Sequence, residues 1–519
     1  MRIICILIFL LLLSAWLEAQ NIPKLDTIVP ANGNKNQQLK EIKKEKIALH
    51  SDSTGSEPKK IFVDTTVQNK YGDLLNDDTA YNKRSKWWVP AIKVVGSNLT
   101  TFLADRYIFK YDYAIQVGFS SWKHNLKTGW EWDTDRFGVN FFSHPYSGAS
   151  SFNAARSNGY NYWQSFPYAV GGSLLWEYFG ENTLPSYNDI YNTPVNGAFL
   201  GEIMYRLSSN ILDDRTSGPQ RFFRELAAGI IDPSREFGRV TSGKAFRKTN
   251  KEVYQKEPLN VTLYAGVQTV DNKPQDLFRS NNLNEILDLQ LDYGNPFENR
   301  KRKPFDFFKM RIDLSYGVGR KILDRATGYG ILTGRNYQAD SGHKAMLIGL
   351  FQYYDYWDNK TFELGAAGFG LGVITKLPIS KNSKSNLYTS VHLTAIPLAG
   401  SSTRFGPDTS QFRDYNFGCG LGGNFESTIN FGRSATITMA AYYYWIHSYV
   451  GLKENNLIGI LKPRGTVRLY KNLNIGFEEA VYYNHVHSPD LPVVHINRTE
   501  QKIFLMLYLE DKQRRGHYN

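Results

Sequence analysis

The sequence predicts a mainly β protein, an outer-membrane antiparallel β-barrel of about 12 strands, preceded by a helical segment that forms an insert or plug. Three observations predict it: a secretory leader, period-two alternation of apolar and polar residues through the C-terminal half, and charged residues recurring on one face of the alternating segments. Alternation alone fits any sheet with one buried face. Export combined with many strands in series points to a membrane barrel, because only helices and closed barrels satisfy every backbone group in lipid. After the leader no run approaches the roughly 18 apolar residues that a helical span needs. Any crossing therefore falls to strands.

The chain opens MRIICILIFLLLLSAWLEAQ, with Arg2 ahead of an apolar run from Ile3 to Leu13 and Ala19 at a small-residue cleavage point, so residues 1–19 read as a signal peptide. Cys5 lies at the start of the apolar run and not after it, so it is not placed for lipid attachment. Beyond the leader Cys419 is the single cysteine, which excludes an internal disulfide in an oxidising compartment. The formal charge is +12, from 61 Lys and Arg against 49 Asp and Glu. Export argues against nucleic acid as its partner, and the excess fits solvated loops, with a basic rim facing phosphorylated glycolipid as a refinement.

Residues 20–85 are polar and lysine-rich and read as a flexible linker. Within them DTI at Asp26, DTT at Asp64 and DTA at Asp78 have the Asp-Ser/Thr-apolar form of an O-glycosylation acceptor, a pattern short enough to arise by chance.

Residues 86–256 form the helical domain. In WVPAIKVVGSNLTTFLADRYIF, the residues Ile92, Val95, Leu99, Phe102 and Leu103 share one side, which predicts an amphipathic helix. A β-like stretch, GWEWDTDRFGVNFF, follows. Then YWQSFPYAVGGSLLWEYFGE and SYNDIYNTPVNGAFLGEIMYRLSSNIL read as two helices whose short connection, NTLP, favours antiparallel neighbours. Ser186 and Asp189 fit an N-cap with an acidic residue at the third position. Gly197 and Gly201, four apart, permit close backbone approach and predict an interior helix hairpin.

From about Leu259 the period becomes two, and residues 257–511 read as the barrel, with a polar tail at 512–519. In FKMRIDLSY the residues Phe308, Met310, Ile312, Leu314 and Tyr316 alternate with Lys309, Arg311, Asp313 and Ser315. LDLQLDY, LYTSVHLTA, ATITMAAYYYW, LNIGFEEAVYY and KIFLMLYLE repeat the pattern. The charged face is then the lumen, where helices that plug the barrel or dock at its mouth would meet Asp288, Arg311 and Asp313. The 33 Tyr and 31 Phe are enough for interfacial girdles. One departure is EDKQRRGHYN after Leu509, since many such barrels finish on an aromatic strand residue.

The chemistry-bearing residues gather in the helical part. HPYSGASSFNAARSNG, then WEYFGE, PSYNDIYNTP and NGAFLGE together resemble the bacterial family of domain of unknown function 3943 over roughly residues 133 to 205. That resemblance implies an envelope protein and, by itself, no reaction. His144, Arg156, Glu177, Glu181, Asp189, Glu202 and Arg206 lie in or beside apolar helices, with Glu177 and Glu181 on one helical face. Buried charges need partners, and two accounts supply them. Structurally, Arg156 and Arg206 neutralise the carboxylates while His144 pins the preceding strand. Functionally, His144 with Glu177 or Asp189 forms an acid/base pair, and Arg156, Glu181, Ser186, Glu202 and Arg206 are candidates for binding around it.

Ser147, Ser150, Ser151 and Ser186 lack a nucleophile-elbow signature. His485 and His487 share a strand face near His495, a pattern open to zinc but more often a polar loop, so no metal is assigned. His392 lies on the polar side of its strand as a lumenal binding candidate, although packing is the commoner role. GFGLG at 368–372 fits close packing or a bulge. No cofactor is implied. The expected partners are the membrane and an outer-membrane lipid or glycolipid, bound or handled by the helical part. The alternative is a passive channel or structural envelope protein with a pore-restricting plug.

Overall fold

The computed structural model describes residues 83–250, 252–271, 283–317, 322–338, 344–359, 361–379, 385–402, 415–489 and 491–509. The leader, most of the linker with its three Asp-Thr motifs, and the polar tail lie outside the described residues.

Twelve strands close into an antiparallel barrel: β1 (Leu259–Asp271), β2 (Asn284–Tyr293), β3 (Phe308–Tyr316), β4 (Leu323–Gln338), β5 (Ala345–Asp358), β6 (Glu363–Pro378), β7 (Asn386–Ser402), β8 (Tyr415–Phe431), β9 (Ala435–Val450), β10 (Glu454–Tyr470), β11 (Leu473–Ser488) and β12 (Leu491–Leu509). Each pairs with its sequence neighbours, and Val261 opposite Leu509 closes the ring. The shortest strand has 9 residues and the longest 19, against roughly 9–11 needed to cross a bilayer at a tilt.

The alternation sends charged side chains inward, where they pair across the ring. Arg311 of β3 reaches Glu478 of β11 at 3.4 Å and Lys309 reaches Glu426 of β8 at 2.7 Å. Lys502 meets Asp288 at 3.2 Å, Arg325 meets Asp313 at 2.5 Å, and Lys462 meets Glu478 at 3.0 Å. A second inward group, including Trp357, Ile396, Ile446, Ile460 and Tyr482, packs apolar side chains together inside the ring. A cavity of about 60 Å³ is lined by Lys309, Arg311 and Glu426. Among the described residues the strands' own side chains pack this interior, with Asp288, Arg325, Glu478 and Lys502 all buried.

Eight α-helices precede the barrel among the described residues: α1 (Trp88–Leu103), α2 (Asp112–Gln116), α3 (Phe119–Lys127), α4 (His144–Arg156), α5 (Tyr162–Phe179), α6 (Asp189–Ile211), α7 (Gly218–Ile231) and α8 (Pro233–Thr241). None is long and apolar enough to cross a membrane. They form an insert packed on the outside of the barrel. Phe199 of α6 stacks near Tyr354 at 5.7 Å, Tyr162 of α5 near Phe305 at 5.6 Å, and Phe141 near Phe417 at 6.2 Å. Tyr354 and Phe417 alternate with the inward residues Asp355 and Asn416, so both point away from the lumen. Phe141 fits where Gly365 and Gly400 leave the wall without side chains.

Strand β5 records the change of cover along its outer face. Ile348 and Leu350 are each 38% exposed, whereas Gln352, next on the same face, is 1% exposed. Gln352 accepts from Tyr162 Oη at 2.5 Å and donates to the Val195 carbonyl at 2.8 Å. A polar side chain on an outer wall thus finds its partners in the helices. Contacts run from the start of β1 and β3 (Val261, Phe308) to the start of β8 at the other end of the barrel (Tyr415). The helical layer therefore climbs diagonally across the wall.

Four expectations need correction. The plug form, with helices meeting Asp288, Arg311 and Asp313, does not occur: these residues pair with one another and with Lys502 inside the ring, and the helices lie against the other face of the strands. The β-like stretch contributes only a bridge between Glu131 and Ser186, and its end, Val139–Ser143, coils as a π-helical turn leading into α4. Ser186 does not cap α6, which starts at Asp189 after a helical Asn188 without a side-chain cap. Gly197 and Gly201 do allow a close crossing, but with α4 rather than the hairpin partner α5: a Cβ on Gly197 would fall on Gly148, and one on Gly201 would meet Phe152 at 2.9 Å.

The amphipathic α1 forms as predicted, yet its apolar stripe is exposed among the described residues. Ile92 is 62% and Leu99 52% exposed, while Pro90 and Val94 turn inward.

Candidate functional site

Four segments converge where the helical layer meets the start of β8. The irregular run 130–136 brings Asp133 and Asp135, α4 begins with His144, the end of α5 carries Glu177 with Glu181 just beyond, and α6 begins with Asp189. The bridge between Glu131 and Ser186 holds the run against the α5–α6 connection. Asp133 accepts from the Asp135 amide at 3.1 Å and from Asn140 Nδ2 at 2.7 Å, so the chain turns back on itself there. Asn140 also donates to Tyr415 Oη at 2.6 Å, tying the turn to the barrel wall.

His144 Nε2 lies 3.8 Å from Asp135 Oδ2. Glu177, 1% exposed, accepts from the Ser186 amide at 2.7 Å. Glu181 accepts from Trp176 Nε1 at 2.6 Å, and Asp189 accepts from Asn188 Nδ2 at 2.9 Å. One donor atom each from His144, Glu177 and Glu181 lie within 4.8 Å of one another, and the same holds for Asp133, Asp135 and His144. The predicted group His144, Glu177, Glu181, Asp189 and Ser186 is therefore one cluster, with Asp133 and Asp135 added to it.

Charge in the cluster is poorly shared. Burial favours a neutral His144, but the Asp189 carboxylate, helped by Asp135, raises its affinity for a proton well above the usual value. Burial, then Glu181 and Asp189, push Glu177 well above the ordinary carboxylate range. Burial also lifts Glu181 to about 7 and Asp189 to about 8, with His144 opposing in both cases.

The other predicted residues lie elsewhere. Arg156 and Arg206 each place Nε 2.8 Å from Glu202, and Arg206 also reaches Asp306 before β3 at 3.5 Å. This triad joins α4, α6 and the barrel, and its arginines neutralise Glu202 rather than the carboxylates beside His144. The structural account from the sequence thus holds for one carboxylate and leaves the rest to a single imidazole. His392 is inside the barrel, with Nδ1 2.6 Å from Tyr353 Oη and its ring 4.4 Å from Tyr329. His485 and His495 approach each other at 2.8 Å on the exposed outer face.

Sequence reasoning missed Asp133 and Asp135. Their signal was the D-x-D spacing inside EWDTD, obscured by the strand-like alternation of that stretch. Phe142, Tyr146, Phe179 and Tyr187 are exposed on the segments that carry the cluster.

Residues 129–234 match the family model described as Domain of unknown function (DUF3943). The DUF3943 segment contains every member of the cluster and the Glu202 triad, and ends before the barrel begins. No curated protein matches the chain in sequence. Among solved structures, the NanC porin is 8% identical with a TM-score of 0.27, covering 48% of this chain and 100% of that one. The KdgM porin is 8% identical with a TM-score of 0.22, covering 47% and 98%. An outer membrane channel from Pseudomonas putida F1 is 5% identical with a TM-score of 0.26, covering 49% and 95%. What those proteins conduct says nothing about this chain.

Proposed function

We propose that this protein is an outer-membrane β-barrel whose DUF3943 layer binds and handles an envelope lipid or glycolipid at the barrel's outer wall. The observation that carries the proposal is the position of the cluster: the buried His144, Glu177 and Asp189 belong to a layer on the face of the barrel where lipid otherwise lies, with exposed aromatic residues on the same segments. Elsewhere on that outer face Leu371 is 67%, Leu393 68% and Ile437 54% exposed, an apolar belt of the kind hydrocarbon covers. The uncovered stripe of α1 adds to it. Within this proposal His144, Glu177, Asp189 and Glu181 face the headgroup, while Arg156, Glu202 and Arg206 hold the layer together.

The test is limited proteolysis of detergent-solubilised protein with a phospholipid or a lipid A analogue. Protection of the α5–α6 hairpin by one lipid class is expected, and no protection across a broad panel sinks the proposal. The filled lumen runs against a passive channel, so planar-bilayer recordings should show no steady conductance. A steady open level would favour the channel instead.

A further inference from the structure

The cluster at His144 sets several carboxyl groups beside a single imidazole. Asp133, Asp135, Glu177, Glu181 and Asp189 gather around one imidazole, and the nearby arginines Arg156 and Arg206 are committed to Glu202. Among the described residues no lysine or arginine forms an ion pair with Glu177, Glu181 or Asp189. A second, independent feature lies in the same place: Asp189 is 1% exposed and its Oδ1 has no hydrogen-bond partner. That carboxylate is also the chief attraction acting on His144. A buried carboxylate oxygen without a donor is costly unless a proton or a cation meets it.

We propose that His144 with Glu177 and Glu181, with Asp133 and Asp135 on its other side and Asp189 nearby, binds a divalent metal cation. Both sets of three donors include His144 and span at most 4.8 Å. Donors around one first-row cation lie up to about 4.3 Å apart, twice a bond of roughly 2.0–2.2 Å, so either set of three needs to close in by only a few tenths of an ångström, with His144 common to both. One imidazole nitrogen among several carboxylate oxygens suits zinc or manganese better than a soft metal. All the ligands come from the DUF3943 segment, and the bridge and Asn140 links fix the run 130–136 that supplies two of them. Resting on the lipid proposal above, the cation would offer an anionic headgroup, such as a phosphate, the attraction that bare carboxylates deny it.

The experiment uses the full chain in detergent, stripped with EDTA and titrated calorimetrically with Zn²⁺ and with Mn²⁺, with bound metal then counted after desalting. One equivalent per chain is expected, with affinity falling at least tenfold in Glu177→Gln/Glu181→Gln. His485→Ala/His495→Ala, which removes the exposed barrel histidines, should leave binding intact. The inference is overturned if the stripped wild type takes up no stoichiometric metal, or if uptake survives the glutamine pair but disappears with His485 and His495. Should the glutamine pair fail to fold, Mn²⁺ bound to the wild type must still show nitrogen hyperfine coupling from one imidazole, and its absence overturns the inference equally. Proteolysis with lipid, run with and without EDTA, separates the two proposals. Metal uptake without lipid protection removes the lipid reading alone, and lipid protection without metal uptake removes the cation alone.

Discussion

Glu202 and Asp213 show how differently two carboxylates of the helical layer serve stability. Glu202 is fully buried between Arg156 and Arg206. Glu202→Ala takes from Arg156 and Arg206 the carboxylate they share, and removing one member of a buried ionic group costs about 3–5 kcal/mol. Thermal melting of the helical layer should show a loss of that order, with the strand signal unchanged. Burial works against ionisation of Asp213, but its hydrogen bond with Arg215, at 2.8 Å, helps hold it down to about 2 from an ordinary 3.8. A carboxyl held below its unfolded value stabilises the fold above about pH 4, and the contribution fades as pH falls toward 2. Partial exposure limits it to on the order of 1–2 kcal/mol. Acid titration should therefore loosen the α6–α7 connection in that window, and Arg215→Ala should flatten the pH dependence. A response centred above pH 5 would contradict this assignment.

At the scale of elements, the crossing of α4 and α6 decides whether the cluster exists, because it sets His144 beside Asp189. A Cβ on Gly148 would overlap the Thr193 carbonyl. Gly148→Ala should cost about 1–3 kcal/mol by overpacking. Protease should then cut α4–α6 sooner, while the barrel keeps its heat-modifiable migration in gels. Equal loss in barrel and helices would show that the two do not behave as separate layers. Helix α1 makes the opposite prediction, since its stripe stays exposed among the described residues. Ile92→Asp/Leu99→Asp should change melting in detergent by less than about 0.5 kcal/mol. Insertion into phospholipid vesicles should weaken measurably, and unchanged insertion would mean that lipid does not cover the stripe. Of these elements, both helices were legible from period and small residues. Their partners were not, because Gly197 shows that something approaches closely without naming Gly148.

At the scale of the whole molecule, the barrel and the helical layer divide the work: the first fills its lumen with paired charge, and the second occupies part of its outer wall. The strand pattern determined the barrel by itself, because period-two alternation is a local property of the chain and Lys309, Arg311 and Asp313 announce a charged face wherever they are read. The resemblance in HPYSGASSFNAARSNG and its companion motifs likewise marked the segment that holds the cluster; Glu177 and Glu181 do come together, but Glu181 lies past the end of α5, so helical spacing is not what joins them. Only the tertiary structure decided which face of the barrel the helices took. An apolar surface such as Phe141 and Phe199 present is equally legible against a lumen or a wall, and the choice lies with distant partners: Gly365, Gly400 and Tyr354 accept those rings outside, while Asp288, Glu478 and Lys502 already fill the inside. The same physics hid Asp133 and Asp135, whose run is held by Ser186 and Asn188 through contacts between segments far apart in the chain that no local period encodes.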